Sequence, residues 1–221
     1  MIGIINLGIN NLYSVERAVA RVGAEHELAD PARLDRYRRI ILPGVGAYGA
    51  AMQAIRDQHL DTRIKDYVAD GGWIFGICLG MQLLFDFSVE GGEQVGGLGL
   101  IGGSVGRLPE DNRNRLPHIG WNTVKVTRDS PIFRDVAAEE YFYFQHSYAV
   151  RPKDDDVVIA TSTHVTDFPC AVQHGNIFGV QFHPEKSFAN GLALLHAFLE
   201  TEGPAPATGI RTPRETNTAD V

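Results

Sequence analysis

Through the first ninety residues the apolar positions switch repeatedly between a strand-like and a helix-like spacing. Residues 2–7, IGIINL, form a mostly apolar run that reads as a strand, after which Leu12, Val15, Val19 and Val22 recur three or four apart and stop at Gly23. That spacing predicts a helix. A short strand at 26–29 and a third at RIILPG follow, then helical stretches over 47–58 and 60–69, then the strand WIFGI. Alternation of this kind predicts parallel strands joined by right-handed crossovers, with helices on both faces of the sheet.

From about residue 95 the pattern changes to short β-rich segments separated by turn signals. LGLIGGSVGRL, GWNTVKVT, EYFYFQHSYAV, VVIATST, CAVQHG and NIFGVQFHPE succeed one another and predict hairpins. A last helix is predicted over 189–200. Beyond it TEGPAPATGIRTPRETNTADV is rich in Pro, Thr and Gly without apolar periodicity, so 201–221 is expected to be a disordered C-terminal tail carrying no chemistry. A chain of 221 residues can hold one large core, and a single domain over 1–200 is expected.

Composition narrows the class. The hydrophobic fraction of 44% and charged fraction of 21% are ordinary for a soluble globular protein, and no apolar run nears the ~20 residues of a membrane helix. The opening MIGIINLGIN has no basic region or cleavage site, so cytoplasmic residence is expected. A net charge of −7 argues against a nucleic-acid groove, and the arginines of RLDRYRR and DNRNRL are read as solvated faces. Cys78 and Cys170 are read as free thiols, and no Cys/His spacing suggests a metal.

Chemistry enters at WIFGICLGMQ. Glycine weakens strands and helices unless the backbone needs a special angle or a close approach, yet Gly76 and Gly80 flank Cys78 where a strand meets a helix. G-x-C-x-G is the cysteine counterpart of the serine nucleophile elbow, which holds its side chain out at the carboxyl edge of a sheet on a strained turn. A helix starting at Leu79 would aim its positive end at the sulfur. That matters because a free thiol with a pKa of roughly 8.5 is only about 3% ionised at pH 7. The competing reading is a buried small hydrophobe with incidental glycines, which is the reading preferred for Cys170.

A thiol nucleophile needs a base and a group that orients the base. His26, His59, His164, His174 and His196 sit in surface-like or helical settings; His118 and His146 are less bland but have no adjacent acid. His183 follows the apolar IFGVQF, is stiffened by Pro184, and has Glu185 two residues on, the spacing that puts two side chains on one side of an extended segment. Cys78 is therefore assigned as nucleophile, His183 as base and then acid, and Glu185 as orienter, against the alternative of a surface turn at HPE. LPGVGAYG, with Gly44, Val45 and Gly46, is a candidate for oxyanion donors beside the Leu79 amide. It lacks the Lys-Ser/Thr ending of a P-loop, and a plain tight turn is the alternative.

PGVG, GICLGMQLLF and FHPEKS, in that order, resemble the class I (triad) glutamine amidotransferases, and GINNLYSV, PHIGWN and YFYFQHSYAV are similar to the glutaminase-subunit branch of imidazole glycerol phosphate synthases. The resemblance runs to about residue 200. It implies a three-layer, flavodoxin-like α/β fold with a central, mostly parallel sheet and a β-rich hairpin portion in the C-terminal half. It also implies hydrolysis of glutamine to glutamate through a cysteinyl thioester, with ammonia passed to a (β/α)8-barrel cyclase subunit as heterodimer partner, and no cofactor. The cyclase products, imidazole glycerol phosphate and 5-aminoimidazole-4-carboxamide ribonucleotide, would serve histidine and purine synthesis. By motif position it assigns Cys78, His183 and Glu185 to the triad; Gly44, Val45 and Gly46 to the oxyanion loop, beside the Leu79 amide read above as a donor; and Gln82, Glu90 and backbone near Ser147 and Tyr148 to the glutamine pocket.

The resemblance further implies a slow glutaminase that the cyclase and its ligand stimulate. One departure from the family pattern is Asn10 in GINN, where a second glycine is usual, a substitution a left-handed turn tolerates. Rival readings are an amidotransferase serving anthranilate, aminodeoxychorismate or pyridoxal phosphate synthesis, a catalytically silent regulatory homologue, and a Cys–His peptidase on a related sheet.

Overall fold

The computed structural model describes residues 1–8 and 12–201. Asn10 and its neighbours at 9–11, and the expected tail from 202 onward, lie outside the described residues.

The first half follows the predicted alternation: β1 (Ile2–Ile4), α1 (Leu12–Arg21), β2 (His26–Leu28), β3 (Arg39–Gly44), α2 (Tyr48–Asp57), α3 (Leu60–Ala69), β4 (Trp73–Cys78) and α4 (Leu79–Leu83). The second half is strand-rich: β5 (Phe85–Ser88), β6 (Val95–Gly96), β7 (Ile101–Arg107), β8 (His118–Val126), β9 (Glu139–His146), β10 (Tyr148–Pro152), β11 (Val158–His164), β12 (Thr166–His174) and β13 (Ile177–Val180), closed by α5 (Phe188–Glu200). The strand predicted over IFGVQF stops at Val180, and Gln181 and Phe182 lead out of the sheet.

A nine-stranded sheet runs β2-β1-β3-β4-β13-β12-β11-β8-β9. Its core strands, β2 through β13, pair in parallel, in the flavodoxin-like order. The hairpins expected in the second half extend this same sheet antiparallel from β13 to β9. A separate four-stranded sheet, β10-β7-β5-β6, flanks it.

Side-chain alternation along the central strands builds the three layers. Trp73, Phe75 and Ile77 of β4, with Phe178 and Val180 of β13, enter one core, covered by Val15 and Val19 of α1 and by Leu194, Leu195 and Phe198 of α5. Ile74 of β4, with Ile40 and Leu42 of β3, enters the other, under Met52 and Ile55 of α2 and Ile64 and Val68 of α3. Strands buried on both faces read as continuous apolar runs, which is why RIILPG and WIFGI carry so few polar residues. Each fully buried side chain of this size contributes about 1.5–3 kcal/mol.

Two polar residues depart from expectation. Arg39 of RLDRYRR is 2% exposed, stacked 4.9 Å over Trp73, and its guanidinium donates to the carbonyl of Thr201. Thr201, placed by composition in the tail, is itself buried, so the packed unit includes it.

The topology brings three strand ends together. Gly44 is the register partner of Cys78, and Val180 that of Ile77, so the carboxyl ends of β3, β4 and β13 lie side by side at one rim of the sheet. This is the edge at which open α/β sheets bind ligands.

Candidate active site

Cys78 ends β4 with φ 54° and ψ −110°, a strained angle for a residue other than glycine, costing about 1–3 kcal/mol. The flanking glycines are explained by contact. A Cβ on Gly80 would lie 1.7 Å from the Leu42 carbonyl oxygen, and one on Gly76 would lie 2.7 Å from the Gly80 backbone. The start of α4 is pressed against β3 and β4 with no space for a side chain, and this clamp turns the chain so sharply that Cys78 leaves the sheet. Gly80→Ala is therefore expected to destabilise the protein by about 3 kcal/mol or more. Urea unfolding measures this, and a change under about 1 kcal/mol would mean the clamp is not needed.

The predicted helix after Cys78 has only five residues, Leu79–Leu83. So short a helix carries little end charge, and the stronger positive neighbour of the sulfur is an imidazole. His183 is 2% exposed. Its Nδ1–H donates to Oε1 of Glu185 at 2.7 Å, and that carboxylate is also buried. The pair meets because Pro184–Lys186 forms a 3₁₀ turn, whereas an extended segment was predicted. Nε2 is buried with no hydrogen-bond partner among the described residues. Burial alone would lower the His183 pKa; the charge of the nearby Cys78, and then the hydrogen bond and charge of Glu185, outweigh burial and raise the ring to about 9.

Ser187, which sequence reasoning passed over, fixes this turn. Its hydroxyl accepts from the Tyr143 amide at 3.0 Å and donates to the His183 carbonyl at 2.6 Å, while the His183 amide donates to the Tyr143 carbonyl at 2.8 Å. The edge strand β9 is thereby tied to the turn that carries His183 and Glu185.

A cavity of about 200 Å³ opens over the sulfur, lined by Val45, Gly46, Leu79, Gln82, Glu90, Ser147 and Tyr148 together with Cys78, Gln145 and His146. The expected pocket residues are thus gathered, except Gly44, which packs beneath against Leu79 and Gly80. Gly46 has φ 96°, which its neighbour Val45 could not adopt without strain. Gln82 uses its Nε2 on the Tyr148 carbonyl at 2.9 Å and on Oε1 of Gln181 at 3.0 Å, so its own Oε1 is the atom available to a ligand. Glu90 accepts from the Tyr48 amide at the start of α2 at 2.9 Å through Oε2.

Other ionisable residues divide plainly. Cys170 is fully buried, and burial pushes its thiol well above the ordinary range, as suits a small hydrophobe. His164, expected on the surface, is buried and packs on His118 with ring centroids 4.6 Å apart. Burial lowers His118 to about 4 and His146 to about 3, so both are neutral near pH 7. Among the described residues no group of His, Cys, Asp and Glu could hold a metal ion.

A strained thiol, a buried imidazole on the exit of the neighbouring strand, a carboxylate behind that ring and a cavity edged by loop backbone constitute the parts of acyl transfer by covalent catalysis. Comparison with known proteins agrees in kind. The family model described as glutamine amidotransferase class-I matches residues 3–200. A curated protein from Geobacillus kaustophilus, imidazole glycerol phosphate synthase subunit HisH, is 45% identical over 204 residues, covering 90% of this chain and 96% of that one. A protein of the same name from Salinibacter ruber is 44% identical over 204 residues, covering 90% and 93%. Among solved structures, a glutamine amidotransferase superposes with TM-score 0.70 at 22% identity over 90% of this chain and 97% of the other. A glutamine amidotransferase from Thermotoga maritima gives TM-score 0.62 at 18% identity over 90% and 81%; at such identities the likeness concerns fold alone.

Proposed function

Because the chain belongs to the class-I glutamine amidotransferases, we propose that it is the glutaminase subunit of an imidazole glycerol phosphate synthase, with Cys78, His183 and Glu185 as its triad. The observation that carries the catalytic assignment is the strained Cys78 lining the cavity, on the strand beside the one that leads to a buried His183–Glu185 pair.

In this mechanism the Cys78 thiolate attacks the side-chain carbonyl carbon of glutamine, forming a C–S bond. The oxyanion that develops is met by backbone N–H groups of Leu79 and of the Val45–Gly46 loop, the segment next to Gly44. Collapse breaks the C–N bond, and the His183 imidazolium gives its proton to the departing nitrogen, releasing ammonia. The neutral imidazole then takes a proton from water, which adds to the thioester. Glutamate leaves, the C–S bond breaks, and thiolate and imidazolium are restored. Glu185 stabilises the imidazolium and keeps Nδ1 protonated so that Nε2 faces the reaction.

The amino-acid end of glutamine fits the opposite side of the cavity, where the Glu90 carboxylate and Gln82 Oε1 suit an ammonium group. A carboxylate takes hydrogen bonds only from donors, so the Ser147–Tyr148 backbone would serve the α-carboxylate through N–H groups. Neither a metal nor an organic cofactor enters the chemistry. No helix among the described residues is long and apolar enough to cross a membrane, and cytoplasmic residence belongs to this reading.

The proposed partner is a (β/α)8-barrel cyclase. An exposed aromatic patch beside the catalytic turn supports docking: Phe188, 78% exposed and with φ 47°, stacks on half-exposed Trp121 with centroids 5.2 Å apart. Lys186 lies over Tyr143 in the same patch. Exposed aromatics grouped in this way mark protein interfaces.

The test is to mix the chain with the cyclase and its phosphoribosyl substrate, then follow glutamate release and imidazole glycerol phosphate formation from glutamine. Glutamine-dependent product with stimulated glutamate release is expected; absence of glutamate release with and without cyclase would refute the assignment. Stimulation by the cyclase marks this role against a free-standing glutaminase.

A further inference from the structure

Gln181 is fully buried, immediately after β13 and two residues before His183. Both ends of its side-chain amide are occupied. Oε1 accepts from Gln82 Nε2 at 3.0 Å, and Nε2 faces the Cys78 sulfur at 3.6 Å.

The orientation of that amide is dictated by a longer string. Gln82 Nε2 also donates to the Tyr148 carbonyl at 2.9 Å, so Gln82 cannot be reversed without setting oxygen against oxygen. The same carbonyl accepts from His146 Nδ1 at 2.9 Å, which leaves His146 Nε2 as acceptor for His118 Nδ1 at 3.0 Å. His118 Nε2 in turn accepts from Asn122 Nδ2 at 3.1 Å, and that amide also donates to the Thr163 carbonyl at 2.8 Å. Backbone carbonyls can only accept, so the carbonyls of Tyr148 and Thr163 set one direction of donation for every member. Reversing Gln181 would put its nitrogen against a donor nitrogen. The consequence lies at the sulfur, where an N–H is delivered and no acceptor.

We infer that Gln181 is a further catalytic residue: its side-chain N–H donates to the Cys78 thiolate, holding it ionised before attack and receiving it again when the thioester breaks. This rests on the reading of Cys78 as nucleophile. A protonated Cys78 has a different partner, the Gln145 carbonyl at 3.8 Å, which can take an S–H and offers nothing to a thiolate. Deprotonation therefore exchanges an acceptor for a donor. His183 supplies charge from one side, and Gln181 a neutral hydrogen bond from another. The other ionisable groups near the sulfur are Glu185 behind His183, Glu90 across the cavity and neutral His146.

The experiment measures alkylation of Cys78 by iodoacetamide across pH, by peptide mass spectrometry, in the full-length chain. Native protein is compared with Gln181→Met, which keeps bulk without a donor, and Gln181→Glu, which keeps an acceptor for Gln82 but turns a carboxylate to the sulfur. Cys170, fully buried and bonded through its carbonyl to the Gln181 amide, is the internal gauge. Its labelling measures the unfolded fraction, which is subtracted.

The expected result for Gln181→Met is alkylation about tenfold slower near neutral pH, with its midpoint raised by about one pH unit. Gln181→Glu should shift further in the same direction. Midpoints equal to native in both variants would overturn the inference, and so would a lower maximal rate at an unchanged midpoint, since that is what a packing role alone produces. Alkylation needs no glutamine, so a failure of native protein to hydrolyse glutamine would sink the functional reading while leaving this result interpretable.

Discussion

Cys78→Ala is expected to lower glutamine-dependent synthesis by about 10⁴-fold or more while leaving synthesis from ammonium salts, in the presence of the cyclase, close to native. The loss is large because in the proposed mechanism the other parts of the site act through this sulfur: His183 would transfer protons for it, Glu185 would orient His183, and the loop backbone would stabilise an oxyanion that forms only after attack. Alanine removes a side chain that is 5% exposed and adds no bulk to the glycine clamp, so the fold and the docking face should persist. The two activities separate because, in the proposed function, ammonia made here is consumed on the other subunit. The measurement is a pair of assays on one reconstituted complex, with glutamine or ammonium chloride as nitrogen source. Glutamate release persisting in Cys78→Ala would remove the nucleophile assignment, and loss of both activities would point to failed assembly.

Glu185→Gln carries the second-largest effect, a fall in kcat for glutamate release of about 10³-fold, since the amide can present the wrong group to Nδ1 and removes the charge that supports an imidazolium. The same substitution should change the pH response. Burial lowers the His183 pKa, and it reaches about 9 because Cys78 and Glu185 together outweigh burial. With Glu185 neutralised the ring should titrate lower, and the alkaline limb of the rate profile should move to lower pH.

Stability follows the same sign. The folded pKa of His183 lies above its unfolded value near 6.5, so its contribution is complete below about 6.5 and is lost as pH rises through about 9. Urea unfolding of the native chain should weaken over that window, while Glu185→Gln should be less stable at neutral pH by about 3 kcal/mol and flatter in its alkaline dependence. Identical alkaline slopes in both proteins would show that the pair is not what raises His183.

Much of the site was legible because its signals are local. Gly76 and Gly80 announced a close approach of backbones, and the elbow at Cys78 has the positive φ that such a motif requires. The loop at Val45 and Gly46 and the HPE segment after β13 also stand at the same rim of the sheet. His183 and Glu185 meet as proposed, yet through a 3₁₀ turn, because Pro184 sets the backbone in a way that spacing alone did not specify. The exposure assigned to Arg39 and His164 was wrong for one reason: each is buried by chain distant in sequence, Arg39 against Trp73, Phe198 and Thr201, and His164 against His118.

The sequence by itself determined the alternation of strands and helices, the two-sided burial of the central strands and the sharp turn at Cys78, since periodicity and local sterics act over a few residues. Only the tertiary structure decided that the late hairpins continue the same sheet, that Ser187 ties its far edge to the turn carrying His183 and Glu185, and that the amide of Gln181 points its nitrogen at the sulfur. These depend on pairings between residues tens of positions apart, and on hydrogen-bond directions set by distant carbonyls, neither of which leaves a periodic trace along the chain.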